Sequence, residues 1–517
     1  MNTNLTRLHP VCSASCFALL LFGSLVPQKA AAQAGAWDYG FSADGYVNVD
    51  IAPFEDRVNS LAVQQDGKLV IVGSVEEEFS EGSMMVARFN VDGSLDATFN
   101  GDGIGLFPEL GSGYDVAVLP DGKLLVLADG DVLFRLTSAG YPDSDFDLDG
   151  QVEFGFPDHE YGSAYYINLY ADGRILVGGR AGDPGQVYFA AARFNADGSL
   201  DNSFSMDGTT SVLAGDDYSS VDGMALLPDG SVVLIGTQHI DEPDNTDFLR
   251  MVRLTASGEL DANFGLNGIV DDPLGMSGAN LEFFPASVHA LSDGSMIVTG
   301  QRGYPYYDGV VVKYLANGTR DLSFSFDGMA LTAPSISDAL IQPDGKILTC
   351  AYAGFLRLLP TGNLDPSFGT NGVVSVESEA LYQIPLEHIA LAPDGKIHTA
   401  GYGFVLEGDD YRSILVARFL NDLNIGIAEF TTTGNTLVYP NPISDQATFG
   451  YTLLGAEKIT CALHDAEGRV VRTYLGGIHR SVGTHSETLD LRGLAAGRYT
   501  IVLSNTSGST ANSIIKN

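Results

Sequence analysis

Residues 61–103 have the sequence LAVQQDGKLVIVGSVEEEFSEGSMMVARFNVDGSLDATFNGDG, and this pattern decides the fold. Counted from Arg88, a Gly stands at position +5, an Asp at +8, a Phe at +11 and an Asp-Gly pair at +14 and +15. The same spacing recurs from five further basic residues, with Asn replacing the later Asp in two units: Arg135, Arg193, Arg253, Lys313 and Arg357. Self-similarity at a period of about 50 residues predicts a solenoid or a propeller.

A seventh unit is divided between the two ends of the repeat region. It begins at Arg418, but Leu423 stands at +5 and nothing beyond it fits the frame. The missing part lies near the N-terminus with the same spacing: Gly35, Asp38, Phe41, Asp44 and Gly45. A split last repeat favours a closed ring, because the N-terminal strand then completes the last blade. We therefore predict a seven-bladed β-propeller over residues 35–420, closed by its N-terminal strand.

Each unit contains two apolar runs joined by a turn that ends in Asp-Gly. Asp-Gly suits a hairpin, because glycine tolerates a positive φ and Asp bonds its own local backbone. No segment shows a sustained 3.6-residue apolar period, so the predicted class is all-β. A small residue always stands six positions after the turn glycine, which predicts crowding near the ring axis or a neighbouring blade. These residues are Gly73, Ala128, Gly179, Gly236, Gly300, Ala351 and Gly401.

The units resemble the delta-60 repeat family of secreted bacterial proteins, which are regarded as β-propeller-like. The resemblance implies a fold and no established activity. The units differ mainly in one connection, between the second and third strands, and antiparallel topology places all of these connections on one face. Because variable loops on one face usually carry recognition, we expect binding there. The long connections are residues 75–83, 179–186, 237–247, 301–308 and 402–412.

The chain is strongly acidic. It has 517 residues, and 27 Lys and Arg against 65 Asp and Glu give a net charge of −38. This charge argues against nucleic acid and anionic membrane surfaces as partners. Solubility outside the cell and cation binding are the two interpretations that it leaves. Cys350 and Cys461 lie in different segments, so we expect no intramolecular disulfide, and we expect a monomer.

Residues 1–32 are typical of a signal peptide. Arg7 supplies a basic start, residues 17–26 an apolar core, and residues 30–32 a small-residue cleavage site. We predict cleavage after Ala32, with Ala34 as the alternative, and Sec export to the periplasm. Since no other apolar run is long enough to span a bilayer, we predict no transmembrane segment.

The C-terminal part of the chain leaves the repeat frame. We interpret residues 421–436 as a linker, and the alternating apolar residues of 437–517 predict a small β-sandwich. This second segment resembles the type A C-terminal sorting domain of the type IX secretion system of Bacteroidota. The resemblance rests on Pro440, Asn441, Pro442, Gly468, Val470, Leu494, Gly497 and Tyr499. It implies the secretion machinery as a partner, passage through the outer membrane, and release or attachment at the cell surface.

Asp145, Asp147 and Asp149 form an alternating acidic run that suggests a calcium loop, because oxygen ligands at alternate positions converge on a hard cation. The twelfth residue from Asp145 is Phe156, so the bidentate acid of an EF-hand is absent. The alternative is structural, because Asp149 belongs to the repeat frame. Calcium is the one cofactor that the sequence suggests.

Tyr304, Tyr306, Tyr307 and Asp308 lie in the long connection of the fifth unit and are our candidate ligand-binding residues. Exposed aromatic rings beside a carboxylate are typical of surfaces that stack on sugars, whereas tyrosines also anchor long loops by packing. The same two interpretations apply to a second group of aromatic residues: Tyr161, Tyr165 and Tyr166.

We predict no catalytic residue. The basic residue at each origin and the Asp at +8 recur in every unit, so we interpret them as structural ion pairs or turn caps. No G-x-S-x-G, H-E-x-x-H or phosphate-binding glycine loop occurs. The histidines His159, His239, His289, His388 and His398 show no ligand spacing.

These observations predict an exported protein that acts at the cell surface or outside the cell as a non-catalytic binding or scaffold module. A glycan or another surface protein would be its ligand. The alternative is a secreted propeller enzyme, a hydrolase or lyase acting on polysaccharide. An enzyme requires unlike polar residues that converge at the axial channel, whereas a binder requires aromatic or acidic loops clustered on one face.

Overall fold

The structure is a computed structural model of the chain. It describes residues 34–51, 55–76, 82–216, 219–240, 246–274, 282–303, 308–332, 335–351, 354–376, 386–403, 413–421, 437–439, 443–453, 457–465, 469–481, 483–504 and 509–517. All regular secondary structure in these ranges is β. No helix among them is long and apolar enough to cross a membrane.

Seven four-stranded antiparallel sheets occupy the described residues up to 421. After β1 (Tyr46–Val49), sheet 1 contains β2 (Asp56–Val63), β3 (Leu69–Val75), β4 (Ser83–Phe89) and β5 (Ile104–Phe107). Sheet 2 contains β6 (Gly113–Val118), β7 (Leu124–Ala128), β8 (Val132–Leu136) and β9 (Gln151–Glu153). Sheet 3 contains β10 (Tyr161–Leu169), β11 (Ile175–Asp183), β12 (Gln186–Phe194) and β13 (Thr209–Gly215).

The remaining four sheets repeat this order. Sheet 4 contains β14 (Gly223–Leu226), β15 (Val232–Ile240), β16 (Thr246–Leu254) and β17 (Ile269–Asp272). Sheet 5 contains β18 (Phe283–Ala290), β19 (Met296–Arg302), β20 (Asp308–Tyr314) and β21 (Met329–Thr332). Sheet 6 contains β22 (Asp338–Ile341), β23 (Ile347–Ala351), β24 (Gly354–Leu358) and β25 (Val373–Ser375). Sheet 7 contains β26 (His388–Leu391), β27 (Ile397–Gly403), β28 (Ser413–Phe419) and, at its outer edge, β1.

The first strands of the sheets surround a common axis. Each of β2, β6, β10, β14, β18 and β22 contacts the next first strand in chain order, and β26 contacts β2. These contacts form a closed circuit, because the last first strand touches the first one. The architecture is an all-β propeller of four-stranded antiparallel sheets.

Sheet 7 joins the two ends of the propeller. β1 pairs with β28, with Tyr46 opposite Ala417 and Val49 opposite Ile414. Trp37 packs on Phe419 with ring centroids 4.6 Å apart. This pairing is the one that the split seventh repeat predicts.

The basic residue and the Asp of each unit form an ion pair, which confirms their structural interpretation. Arg88 also reaches the next sheet, where its Nη1 donates to the carbonyl oxygen of Ser138 at 2.6 Å, and its guanidinium lies 4.7 Å from the Phe99 ring centroid. Such a basic residue therefore links two positions of its own repeat and also contacts the neighbouring sheet. The seven pairs, with N···O distances of 2.6–3.2 Å, are Asp38–Arg418, Arg88–Asp96, Arg135–Asp143, Arg193–Asp201, Arg253–Asp261, Lys313–Asp321 and Arg357–Asp365.

The predicted crowding near the ring axis is confirmed at Gly73 and Gly179. A Cβ added at Gly73 would overlap the carbonyl oxygen of Arg57, and one at Gly179 would overlap that of Ser163. Both carbonyls belong to the first strand of the same sheet, and the first strands surround the ring axis. In both sheets a β-bulge of the first strand lies opposite the glycine.

The variable connections join the second and third strands of their sheets, as predicted. Sheet 3 differs in the form of this connection. There, residues 179–186 are not a long loop, because β11 continues to Asp183 and pairs with β12 from Gln186 onward. The turn between them has a positive φ of 84° at Gly185.

Residues 437–517 contain two further sheets within the described ranges. One contains β29 (Leu437–Tyr439), β30 (Gln446–Leu453) and β33 (Gly483–Asp490). The other contains β31 (Glu457–His464), β32 (Val470–Arg480), β34 (Gly497–Ser504) and β35 (Ser509–Lys516). Phe449 of the first sheet and Ile501 of the second belong to one buried apolar cluster. Cys461 is buried in the same cluster, and both Cys350 and Cys461 are free thiols.

Candidate axial binding site

A cavity of about 900 Å³ lies between the first strands, and all seven sheets contribute to its lining. One position of the repeat supplies a residue from every sheet. It is the seventh residue before the turn glycine, and we call it the axial position. The axial residues are Ser60, Asp115, Tyr166, Gly223, Ser287, Asp338 and His388.

The axial position is unlike the rest of the repeat frame. It holds five residue types in seven units, whereas the residue after it is apolar every time. Successive residues of a strand point to opposite faces, so the apolar residues point away from the axial ones, although Met224 and Val288 also reach the cavity lining. Six of these seven apolar residues are at most 8% exposed: Val116, Ile167, Met224, Val288, Ala339 and Ile389.

Bulges bring a second row of side chains to the cavity. The register of the first strand shifts at Asn59 in sheet 1, Tyr114 in sheet 2 and Tyr165 in sheet 3, and all three residues line the cavity. An extra residue in one strand re-aims the side chains beside it. The rings of Tyr114 and Tyr165 meet edge to face with centroids 5.2 Å apart. The bulge therefore places an aromatic pair beside the axial residues.

Asp115 connects three sheets at the cavity wall. Its Oδ1 accepts the Ser60 hydroxyl of sheet 1 at 2.7 Å, and its Oδ2 accepts the Ile167 N–H of sheet 3 at 2.8 Å. Burial nevertheless raises the pKa of the Asp115 carboxyl above its ordinary value, against the opposing effect of these hydrogen bonds.

Two further carboxyls of the cavity also hold their protons more tightly than usual. Burial raises the pKa of Asp338 to about 7, and the charge of Asp115 acts in the same direction. The Ile389 N–H donates to Asp338 Oδ2 at 3.2 Å. Burial raises the pKa of Asp222 to about 6, although the Ser220 hydroxyl donates to Asp222 Oδ2. Both carboxyls therefore titrate near neutral pH.

The two histidines of the cavity are neutral at pH 7. Burial lowers the pKa of His289 to about 4, and burial lowers that of His388 to about 4 as well. His289 Nε2 lies 2.9 Å from Ser287 Oγ, and His388 Nε2 lies 3.3 Å from the Val58 carbonyl oxygen. Because no Lys or Arg lines the cavity, its described lining presents no cation.

The structure separates the tyrosines that the sequence grouped together. Tyr165 and Tyr166 line the axial cavity, and burial raises the pKa of Tyr166 well above its ordinary value. Tyr161, at the start of the same strand, is 43% exposed and does not line the cavity. Tyr304, Tyr306 and Tyr307 lie outside the described residues, and Asp308 is exposed at the start of β20.

The acidic run is not assembled into a metal site. Asp145, Asp147 and Asp149 are exposed, and Asp149 accepts the Gln151 N–H at 3.0 Å in a local turn. Among the described residues, no group of three or more His, Cys, Asp or Glu is placed to hold a metal ion. Calcium binding at this run stays a prediction.

The export-related residues fall partly outside the described ranges. Ala32, Pro440, Asn441, Pro442 and Gly468 are among the residues that the structure does not describe. Gly497 begins β34, and the hydroxyl of buried Tyr499 donates to the Ala495 carbonyl oxygen at 3.0 Å.

Sequence reasoning missed the axial carboxyls and histidines because it searched for motifs along the chain. Asp115, Asp222, Asp338, His289 and His388 come from five sheets and share no local pattern. A signal was nevertheless present. When the units are aligned on the turn glycine, the residue type at the axial position changes from unit to unit, whereas the next position is apolar in every unit.

The raised pKa of Asp338 leads to a pH-dependent stability. With a folded pKa of about 7 against 3.8, the folded state binds more protons than the unfolded state between these values. The contribution of this carboxyl to the free energy of unfolding is therefore complete below about pH 4. It decreases as the pH rises and is lost once the pH passes about 7. We expect Asp338→Asn, relative to the wild type, to gain roughly 1–2 kcal/mol between pH 5 and pH 8, a figure reduced for contact with the cavity solvent.

Denaturant unfolding at both pH values measures this difference. Asn168→Ala is the matched control, because it changes the same cavity lining without removing a titrating group. An equal offset for Asp338→Asn at pH 5 and pH 8 would show that the carboxyl titrates normally.

Comparison with protein families agrees with this architecture. Residues 64–99, 171–204, 227–264, 291–324 and 342–368 match the model described as "Domain of unknown function (DUF5122) beta-propeller". Residues 437–517 match the "Secretion system C-terminal sorting domain". The chain therefore contains β-propeller repeats of the delta-60 type and carries a type IX secretion sorting domain, which confirms both resemblances. A comparison with curated proteins finds no match.

Several solved structures are similar to this chain at low identity. Polysaccharide lyase Uly1 has a TM-score of 0.44 at 13% identity, over 76% of this chain and 98% of that one. A protein of unknown function from Dyadobacter fermentans DSM 18053 has a TM-score of 0.38 at 12% identity, over 73% and 99%. The β-propeller domain of the Trilobed protease from Pyrococcus furiosus has a TM-score of 0.38 at 8% identity, over 71% and 99%. Likenesses this weak support no statement about function.

Proposed function

We propose that this protein is an exported binding module that holds part of a neutral glycan in the axial cavity. One observation carries the proposal: seven equivalent positions, which hold five residue types beside repeat positions that stay fixed, converge on a single cavity of about 900 Å³. Structural needs would favour the same residue at each of them. Different residue types at equivalent positions give a ring with distinct sides, as recognition of an asymmetric ligand requires.

The charge of the cavity supports the ligand class. Its histidines are neutral and it offers no cation, while Asp115, Asp222 and Asp338 oppose an anionic ligand. Hydroxyl and amide groups line the wall beside the Tyr114 and Tyr165 rings. Sugars combine hydroxyl groups with an apolar ring face that stacks on aromatic side chains.

The sorting domain supports export and delivery by the secretion machinery. We extend this to a full route: a signal peptide over residues 1–32 cleaved after Ala32, Sec transfer to the periplasm, and release or attachment at the outer surface. We propose seven blades over residues 35–420, a linker over 421–436 and a β-sandwich over 437–517. The closed circuit of first strands and the shared core of the two C-terminal sheets support these assignments.

A second candidate is hydrolysis of a polysaccharide at the same cavity. Two observations favour it. Unlike polar residues converge at the axial cavity, as the enzyme alternative requires. Two carboxyls there also differ in proton affinity, because burial raises the pKa of Asp338 to about 7 and that of Asp222 to about 6. A carboxyl that stays protonated at neutral pH can act as a general acid toward a leaving sugar oxygen. Asp338 would take this role, and Asp338→Asn would abolish turnover while leaving binding in place.

A glycan array probed with the full chain tests the proposal. We expect binding to neutral glycans that falls about 10-fold or more in Tyr165→Ala, because a buried aromatic anchor contributes a large share of binding energy. Tyr161→Ala is the matched control, since Tyr161 lies on the same strand but outside the cavity.

Two further arms separate the earlier hypotheses. Loss of binding in a Tyr304, Tyr306 and Tyr307 variant, with Tyr165→Ala unaffected, would move the site to the sheet 5 loop. A requirement for added calcium that disappears in an Asp145→Asn variant would support the acidic run. If no glycan is bound with or without calcium, a scaffold role would be favoured.

A further inference from the structure

Sheet 3 brings a serine, a histidine and an aspartate together away from the axial cavity. His159 lies in the turn before β10, Asp183 ends β11, and Ser211 lies on the outer strand β13. His159 Nδ1 is 3.1 Å from Asp183 Oδ2, and His159 Nε2 is 2.8 Å from Ser211 Oγ. The fold thus joins residues that are 24 and 52 positions apart in the chain.

The two partners of His159 select one tautomer of its neutral imidazole. An ionised carboxylate only accepts hydrogen bonds, so the imidazole donates from Nδ1 to Asp183. Nε2 then carries the lone pair and accepts the Ser211 hydroxyl. The Glu160 N–H donates to Asp183 Oδ1 at 3.2 Å, and the Tyr188 ring lies 4.2 Å from the imidazole centroid. Both neighbours hold the carboxylate and the ring in this orientation.

A small cavity opens beside these residues. Its volume is about 270 Å³, and His159 and Ser211 line it together with the hydroxyl residues Ser205 and Thr209. Asp158 and Asp207 also line it, which disfavours an anionic group. The space suits a short, neutral acyl group. The serine and histidine therefore face a volume that a small ester can enter.

We propose that Ser211, His159 and Asp183 form a hydrolytic site for small neutral acyl esters, separate from the axial cavity and independent of its ligand. This arrangement of nucleophile, base and orienting carboxylate defines an activated serine. Ser211 is the nucleophile and His159 is the general base. Asp183 is a positioning residue, because it acts through the imidazole.

The reaction needs only the ester and water. Ser211 Oγ forms a bond to the acyl carbon while its proton moves to His159 Nε2. The bond between the acyl carbon and the alcohol oxygen then breaks, and the imidazolium returns the proton to the departing alcohol. A water molecule next attacks the acyl carbon and gives a proton to His159. That proton passes to Ser211 Oγ as the carboxylic acid leaves. Ser205 lines the same cavity, and we assign its hydroxyl the role of donor to the transient oxyanion.

A fluorophosphonate probe tests the proposal on the full chain, because such probes modify activated serines covalently. We expect mass spectrometry to find the label on Ser211 and to find none in Ser211→Ala. His159→Gln should slow labelling about 100-fold or more, and hydrolysis of p-nitrophenyl acetate should fall in parallel.

The repeat supplies a matched control. Ser375 stands 18 residues after Arg357, as Ser211 does after Arg193, and it ends the outer strand β25. Ser375→Ala should leave labelling and hydrolysis unchanged. Asp183→Asn should lower the labelling rate, and Asp183→Glu should restore part of it, which loss of a merely structural contact would not explain.

Absence of label on Ser211 in folded protein would overturn the proposal, as would labelling of Ser211 that persists in His159→Gln. Circular dichroism of each variant verifies the fold. The glycan array separates this site from the axial one, because Ser211→Ala should bind the array as the wild type does.

Discussion

The Arg418→Ala variant should lose roughly 3 kcal/mol of unfolding free energy, because it removes one of the two cationic partners of a buried carboxylate. The other partner stays, since Lys396 Nζ lies 3.1 Å from Asp38 Oδ2. Arg418 Nε lies 2.6 Å from Asp38 Oδ2, and Nη1 donates to the Val91 carbonyl oxygen of sheet 1. Its guanidinium lies 4.9 Å from the Phe41 ring centroid. One side chain thus joins the N-terminal segment, sheet 7 and sheet 1.

The single tryptophan of the chain reports on this closure directly. Trp37 packs on Phe419 and Tyr46, so its fluorescence should change when the N-terminal strand separates from β28. We expect guanidinium unfolding followed at Trp37 to shift to a clearly lower midpoint in Arg418→Ala. Arg418→Lys should lose less, since a lysine occupies the equivalent position in the Lys313–Asp321 pair.

Arg57→Ala is the control for this variant. Arg57 pairs with Glu55 at the surface, where its side chain is 51% exposed, and such pairs contribute at most about 1 kcal/mol. Equal midpoints for Arg418→Ala and Arg57→Ala would contradict a closing role for Arg418.

The Gly179→Ala variant should lose about 3 kcal/mol of unfolding free energy and disturb the axial cavity. The added Cβ would overlap the Ser163 carbonyl oxygen and the Ala164 Cα. Backbone atoms cannot rotate away as a side chain does, so the first strand must move. That strand carries the bulge at Tyr165 and the axial residue Tyr166. Stability and glycan binding should therefore fall together.

Thermal unfolding and the glycan array measure the two effects. Gly155→Ala is the control, because a Cβ there meets no atom within 4 Å. It should stay within about 0.5 kcal/mol of the wild type. A Gly179→Ala protein with unchanged stability and unchanged binding would show that the bulge can shift without consequence.

Sheet 2 shows why alanine is tolerated at the same repeat position. Ala128 stands where sheet 3 has Gly179, but its partner across the strands is Gly113, whereas the partner of Gly179 is Ala164. The sequence indicated a crowded position and could not indicate which backbone crowds it. That depends on the pairing register, which only the folded sheet defines.

The sequence by itself determined the repeat, the all-β class, the pairing of β1 with β28, the ion pairs such as Arg88–Asp96, and the sorting domain. Each of these follows from local chemistry at fixed spacing, repeated often enough to be recognised in one chain. The tertiary structure decided the sites. Asp115, Asp338 and His388 meet because a closed ring brings seven first strands to one axis, and Ser211 meets His159 because an outer strand folds beside the preceding connection. No repeated spacing relates the residues of these two sites to one another, so only the fold shows which of them meet.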